Sequence, residues 1–130
     1  MPWDIYDYRD RRGLNPVLTW CQALEKKDLA KMNHRIDMLQ EKGKDLCPNL
    51  VGPLRGSPHL YKIRVNGDVA PRLVLCKGPV NMETEFTLLL GVFERDDKLP
   101  DGTLEKAESY RQEIIANPIQ RRNPHERAKR

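Results

Sequence analysis

The chain has 130 residues, 23 Lys plus Arg against 19 Asp plus Glu, and a formal net charge of +4. That length suits one domain around one core, and with 38% hydrophobic and 32% charged residues the domain is polar but not disordered, because its apolar residues cluster in periodic segments. The longest near-apolar run, Phe86 to Phe93, falls far short of the roughly 20 residues of a spanning helix, so no membrane partner is expected.

Residues 3–9, Trp-Asp-Ile-Tyr-Asp-Tyr-Arg, predict a first strand, followed by a turn at Arg12-Gly13. Asn15-Pro16 then supplies a helix start, and Val17, Trp20, Cys21 and Leu24 recur at helical spacing. A second helix is expected from about Lys27 to Lys42, with Leu29, Met32, Ile36 and Leu39 on one face and Gly43 as its stop. The two helices read as an αα-hairpin. Prolines and glycines between Pro48 and Pro58 predict a loop. A β-hairpin follows, Leu60 to Val65 and Arg72 to Lys77, joined through Asn66-Gly67-Asp68. Alternation puts Tyr61, Ile63 and Val65 on one face and Leu60, Lys62 and Arg64 on the other. Phe86 to Phe93, apolar on both faces, suits a central strand. Pro100, Asp101 and Thr103 announce a last helix, whose face Leu104, Ala107, Arg111, Ile114 is interrupted by a cation, and Asn117-Pro118 ends it. The order β-α-α-β-β-β-α describes an α+β domain, with helices expected on one face of the sheet. Residues 118–130 are expected to form a mobile tail with Ile119 as its one apolar anchor.

The position of the charge says more than its sum. Residues 1–117 hold 18 basic and 18 acidic side chains, so the excess lies in residues 118–130, where Arg121, Arg122, Arg127, Lys129 and Arg130 oppose Glu126. Residues 52–77 carry a local +4 from Arg55, Lys62, Arg64, Arg72 and Lys77 against Asp68, and residues 83–113 a local −5. Two or three cations on the hairpin, Lys62, Arg64 and Arg72, suit a phosphate, because the guanidinium fork matches phosphate oxygens. The plain alternative is a solvated strand face. Arg111, Arg95 and Lys98 form a second set, which surface pairing with Glu94, Asp96, Asp97 and Glu108 explains better than a site does, at about 0–1 kcal/mol per pair. The basic tail either grips RNA by counterion release or simply solubilises the chain end.

Other chemistries find little purchase. His34, His59 and His125 show no metal-ligand spacing, and only His59, just before the hairpin, is placed to act as an acid or base. Cys21, Cys47 and Cys76 make no CxxC motif and are read as small core residues in a reducing compartment. No glycine loop precedes a helix as phosphate-binding loops require, so no metal or cofactor is expected. Met1-Pro2-Trp3-Asp4 shows no secretion signal, which agrees with a cytoplasmic location.

Residues Arg9 to Leu24 (Arg-Asp-Arg-Arg-Gly-Leu-Asn-Pro-Val-Leu-Thr-Trp-Cys-Gln-Ala-Leu) resemble the strand, turn and first helix of RelE/ParE-superfamily toxins, nearest the phage-derived, HigB-like branch. The likeness continues through Leu39 and Gly43, Leu54-x-Gly56-x-x-x-Leu60-Tyr61-Lys62-Ile63-Arg64, Arg72, Leu88 to Phe93, Lys98-x-Pro100, and Glu105, Ala107 and Arg111. It covers about residues 3–115, and residues 1–117 would be the toxin domain. The resemblance implies a small antiparallel sheet carrying an N-terminal αα-hairpin and a C-terminal helix. It also implies the toxin of a type II toxin–antitoxin pair, a metal-independent endoribonuclease that cuts messenger RNA on the ribosome. Its partner would be a helix-turn-helix, HigA-like antitoxin encoded nearby. Carried onto this chain, Arg64 and Arg72 would clamp the scissile phosphate. Tyr61 and Lys98 would complete the catalytic set, with Lys62, Arg55, Arg95 and Arg111 holding RNA. Relatives often carry two lysines where this chain has Glu94-Arg95, which implies weaker RNA affinity or an antitoxin-facing rim. Two other readings stay open, a ParE-like toxin inhibiting DNA gyrase without cutting RNA, and an inactive phage-derived binding module.

Overall fold

The computed structural model describes residues 2–43, 51–66 and 70–129; Met1, Cys47, Pro48, the Gly67-Asp68 part of the hairpin connection and Arg130 lie outside them. In chain order the elements are β1 (Asp4–Tyr8), α1 (Pro16–Gln22), α2 (Lys26–Lys42), β2 (Val51–Pro53), β3 (Leu60–Arg64), β4 (Ala70–Lys77), β5 (Glu85–Glu94), α3 (Thr103–Ala116), α4 (Pro118–Arg121) and β6 (Arg122–Pro124).

Local signals fix the helices. The Asn15 side chain accepts the Leu18 N–H at 2.9 Å, capping α1 with Pro16 in its first turn. Gly43 ends α2 at φ +74°, its N–H bonded to the Leu39 carbonyl. A Cβ there would also stand 2.8 Å from the Trp3 indole nitrogen, so glycine is required twice over.

Six strands form one mixed sheet in the order β2-β3-β4-β5-β1-β6. The expected antiparallel sheet is corrected at β1, which runs parallel to β5. A crossover through both α1 and α2 makes that pairing possible. The expectation of helices on one face also fails. α1 and α2 bury Val17, Cys21, Met32, Ile36 and Leu39 against Ile5, Ile63, Leu73, Leu75, Phe86 and Leu88. On the opposite face, Ala107 and Ile114 of α3 pack on Leu60, Val74, Cys76 and Leu89. β4 and β5 therefore lie inside a three-layer domain and must be apolar on both sides. The predicted loop over 48–58 conceals β2, a short edge strand paired with Tyr61–Ile63, where a terminal proline is tolerated.

Opposite Val74 and Leu75 of β4, β5 presents Leu90 and then Leu88, so Leu89 is an extra residue in the ladder. Leu89 and Leu90 consequently both face α3, and the alternation beyond them carries Val92 and Glu94 to that side. On the other face, Gly91 lies under Trp20: a Cβ there would fall 1.9 Å from the indole.

The tail is not a separate appendage. Its β6 pairs antiparallel with β1 from Tyr6 to Tyr8, and Ala128 is buried in the α1–α2 core. Ile119, the expected anchor, is 87% exposed. Ion pairs add to the anchoring by β6 and Ala128. Arg122 pairs with Glu85 at 2.7 Å and Arg127 with Asp37 at 2.8 Å. Asn33 of α2 donates to the Ala128 carbonyl. The fully buried Asp7 accepts from the Asn15 amide at 2.8 Å and the Glu126 N–H at 3.0 Å, and lies 2.8 Å from His125 Nδ1. One carboxylate thus ties the cap of α1 to the tail, and a buried carboxylate requires such partners. Asp7→Ala is expected to cost about 3–5 kcal/mol in urea unfolding and to loosen residues 122–129 in hydrogen exchange. A loss below about 1 kcal/mol would contradict that role.

Candidate functional site

The β3–β4 hairpin places its cations by register. Arg64 pairs with Arg72 and Lys62 with Val74, so all three cations share the α3-side face with Leu60. Glu94 arrives on the same face from β5, paired in the ladder with Ala70. Its carboxylate joins the three strands. Lys62 Nζ donates to Oε1 at 3.0 Å, while Arg72 donates to Oε2 from Nε at 3.0 Å and lies 2.7 Å from it through Nη2. The Nη1 of Arg72 donates to the carbonyls of Val65 and Pro71, both at 3.0 Å. Arg72 is only 7% exposed.

Burial pushes the Glu94 carboxyl up, but the hydrogen bond from Lys62 and the charges of Arg72 and Lys62 outweigh it and hold the group below its ordinary value. Glu94 therefore remains ionised at neutral pH. Arg72 also raises the local potential at Arg35 of α2, whose pKa is lowered by burial and by that neighbouring charge.

Lys62, Arg64 and Arg55 line one open cleft of ≈ 630 Å³ between β2–β3 and the start of α3. Four carboxylates, Glu94, Asp97, Asp101 and Glu105, line it as well. The Arg64 guanidinium lies over β2, where a Cβ on Gly52 would come within 2.6 Å of Nη2. Gly52 is a site residue that sequence reasoning missed, because it sat in a segment read as loop. Glu94 was read as a departure from a cationic pattern rather than as the partner of two site cations.

The remaining candidates lie elsewhere. Arg95 and Lys98 close a two-residue turn through reciprocal backbone bonds of 2.9 Å, with Asp96 and Asp97 at φ +51° and +60°. Aspartate tolerates that conformation better than most residues, which explains the pair of acids here. Arg95 and Lys98 line a neighbouring cleft of ≈ 670 Å³ with Trp20 and Phe93, separated from the first by the shared wall Leu99–Asp101. Tyr61 packs on the α1–α2 face, opposite Lys62. Arg111 pairs with Glu108 at 2.8 Å beneath α3 and is not among the residues lining the hairpin cleft.

Burial pushes the Cys21 and Cys76 thiols up to about 12, so neither is a ready nucleophile. Among the described residues no His, Cys, Asp or Glu cluster is arranged to hold a metal ion, and no helix is long and apolar enough to cross a membrane. Comparison of the chain with protein-family models, curated proteins and solved structures finds no match.

A carboxyl whose folded pKa lies below its unfolded value adds stability above the unfolded value and loses it as pH falls through the folded one. Glu94→Gln is expected to lower stability by about 1–3 kcal/mol near pH 7, because two partly buried cations lose their counter-ion. That gap from wild type should shrink as pH falls below 4.5, the ordinary carboxyl value. Thermal unfolding from pH 7 to pH 3 reads both. A gap independent of pH would contradict the ion triad.

Proposed function

We propose that the chain is an RNA-cleaving toxin of the RelE/ParE kind, acting on messenger RNA at the ribosome and neutralised by a helix-turn-helix antitoxin. The observation that carries this reading is the convergence of Lys62, Arg64 and Arg55 on one open cleft. The order β1-α1-α2, then β3-β4-β5-α3, is compatible with that fold, to which β2, α4 and β6 are additions.

The chemistry asks little of the protein beyond charge and placement. The RNA's own 2′-hydroxyl attacks the adjacent phosphorus, a pentacoordinate phosphorane forms, and the 5′-oxygen leaves with a proton. The products are a 2′,3′-cyclic phosphate and a 5′-hydroxyl, and no protein nucleophile or metal is needed. Arg64, exposed at the cleft and laid over Gly52, is placed to meet the phosphorane oxygens, with Arg55 also lining the cleft. Lys62 lies beside it, held by Glu94. Arg72, below the cleft, is a positioning residue: it fixes Glu94, and through Glu94 the Lys62 ammonium.

One observation favours a second reading, a binding-only toxin or inactive module. Four carboxylates line the cleft beside three cations, and Glu94 neutralises Lys62 from within it. Such a site repels a polyanion more than a purely cationic one does.

Induced expression separates the two. Wild type is expected to arrest growth and leave new 5′ ends within translated messages. Arg64→Ala is expected to lose at least about 100-fold in cutting, on the scale of one removed oxyanion donor. Gly52→Ala, which displaces the Arg64 guanidinium, should fall between them. Arrest by Arg64→Ala with messages intact would favour the binding-only reading.

A further inference from the structure

A cationic groove sits beyond the end of β1 and shares no lining residue with the hairpin cleft. It measures ≈ 390 Å³ and is lined by Arg9, Arg11, Arg12, Arg121, Gly13 and Gln120. Among the described residues no carboxylate lines it, in contrast to the four in the hairpin cleft.

The groove is built by a tight turn and by the docked tail. After β1, the Asp10 carboxylate accepts the N–H groups of Arg12 and Leu14, each at 2.9 Å, and the Gly13 N–H donates to the Asp10 carbonyl at 3.0 Å. Gly13 has φ +78°, and Arg9 folds back to donate to its carbonyl at 3.3 Å. A side chain at Gly13 would both strain the turn and press on the Arg9 guanidinium. Arg121 arrives from α4, its carbonyl accepting the Arg9 N–H at 2.8 Å and its Nη1 donating to the Asp10 carbonyl at 3.4 Å. Three arginines of one turn thus meet a fourth from the far end of the chain.

Their counter-ions are few and loosely held. Asp10 lies 3.5 Å from Arg12 Nη2. A single oxygen of Glu113 serves Arg11 at 3.6 Å and Arg121 at 3.9 Å while also accepting the Tyr8 hydroxyl at 3.0 Å. Among the described residues, Arg11, Arg12 and Arg121 share these two carboxylates and Arg9 pairs with neither, so the four guanidiniums keep a formal +2. The Arg11 and Arg12 side chains are each 79% exposed.

We propose that this groove binds the phosphodiester backbone of a nucleic acid. Guanidinium forks match phosphate oxygens. Among the described residues the lining offers no aromatic ring or apolar wall on which a base could stack, so the contact reads charge and not sequence. This site is independent of cutting at the hairpin cleft and stands whether or not that cleft is catalytic.

Anisotropy of fluorescein-labelled U12 and dT12 with the full chain, from 50 to 300 mM KCl, tests it. The double variant Arg11→Ala/Arg12→Ala is expected to bind at least about tenfold more weakly at 50 mM, with the salt slope reduced by roughly 1.4, the value for two single-strand phosphates. Its urea midpoint should match wild type, because both side chains are exposed. Equal losses for U12 and dT12 identify any phosphodiester strand as ligand, and a loss confined to U12 identifies RNA. Wild-type affinity and slope in the double variant would overturn the proposal. Binding of inorganic pyrophosphate but of neither oligonucleotide would overturn it too. Cleavage by Arg64→Ala reports on the hairpin cleft alone, so the two readings fail separately.

Discussion

Between Val74 and Leu75 of β4 the facing strand steps from Leu90 to Leu88, leaving Leu89 without a ladder partner. Every side chain of β5 beyond that point has its face set by this extra residue, since strand parity is otherwise rigid. With the extra residue, Glu94 meets Lys62 and Arg72, and Gly91 turns to the other layer where Trp20 covers it. Without it, Glu94 would turn toward the α1–α2 layer, and two hairpin cations would crowd one face without a counter-ion. The site's electrostatics thus rest on a packing detail five residues away.

The ion triad trades reach for order. Arg72 spends its donors on Glu94 and on the Val65 and Pro71 carbonyls, so it ties the hairpin end together. Lys62 is oriented at the cleft wall by the same carboxylate. That leaves Arg64 and Arg55 as the side chains able to move toward a phosphate. Close ion pairs of this kind offset desolvation only where geometry is good, and at 2.7–3.0 Å it is.

Much of the framework was legible in the chain because local rules are strong there. Asn15-Pro16 starts α1, Gly43 ends α2, and alternation along β3 sorts Ile63 from Lys62 and Arg64 as periodicity requires. What was hidden depends on partners remote in sequence. β2 is three residues long and acquires its identity only from pairing with β3. The tail looks like a charged, disordered end, yet its cations find Glu85 and Asp37, and buried Asp7 holds its turn. Arg9-Asp10-Arg11-Arg12 reads as a polar turn until Arg121 joins it. Tyr61 and Arg111 show the converse: residue type suited them to a phosphate site, and strand parity and helix facing sent them elsewhere.

The chemistry proposed for the hairpin cleft is tested most directly at the ends of the RNA fragments it would make. Purified protein, translating ribosomes programmed with a short labelled message, and mass spectrometry of the fragments suffice. Fragments bearing 2′,3′-cyclic phosphate and 5′-hydroxyl ends, formed by wild type and lost in Arg64→Ala, are the expected result. Intact message, or fragments with 5′-phosphate ends, would contradict attack by the RNA's own 2′-hydroxyl in a cleft organised by Glu94.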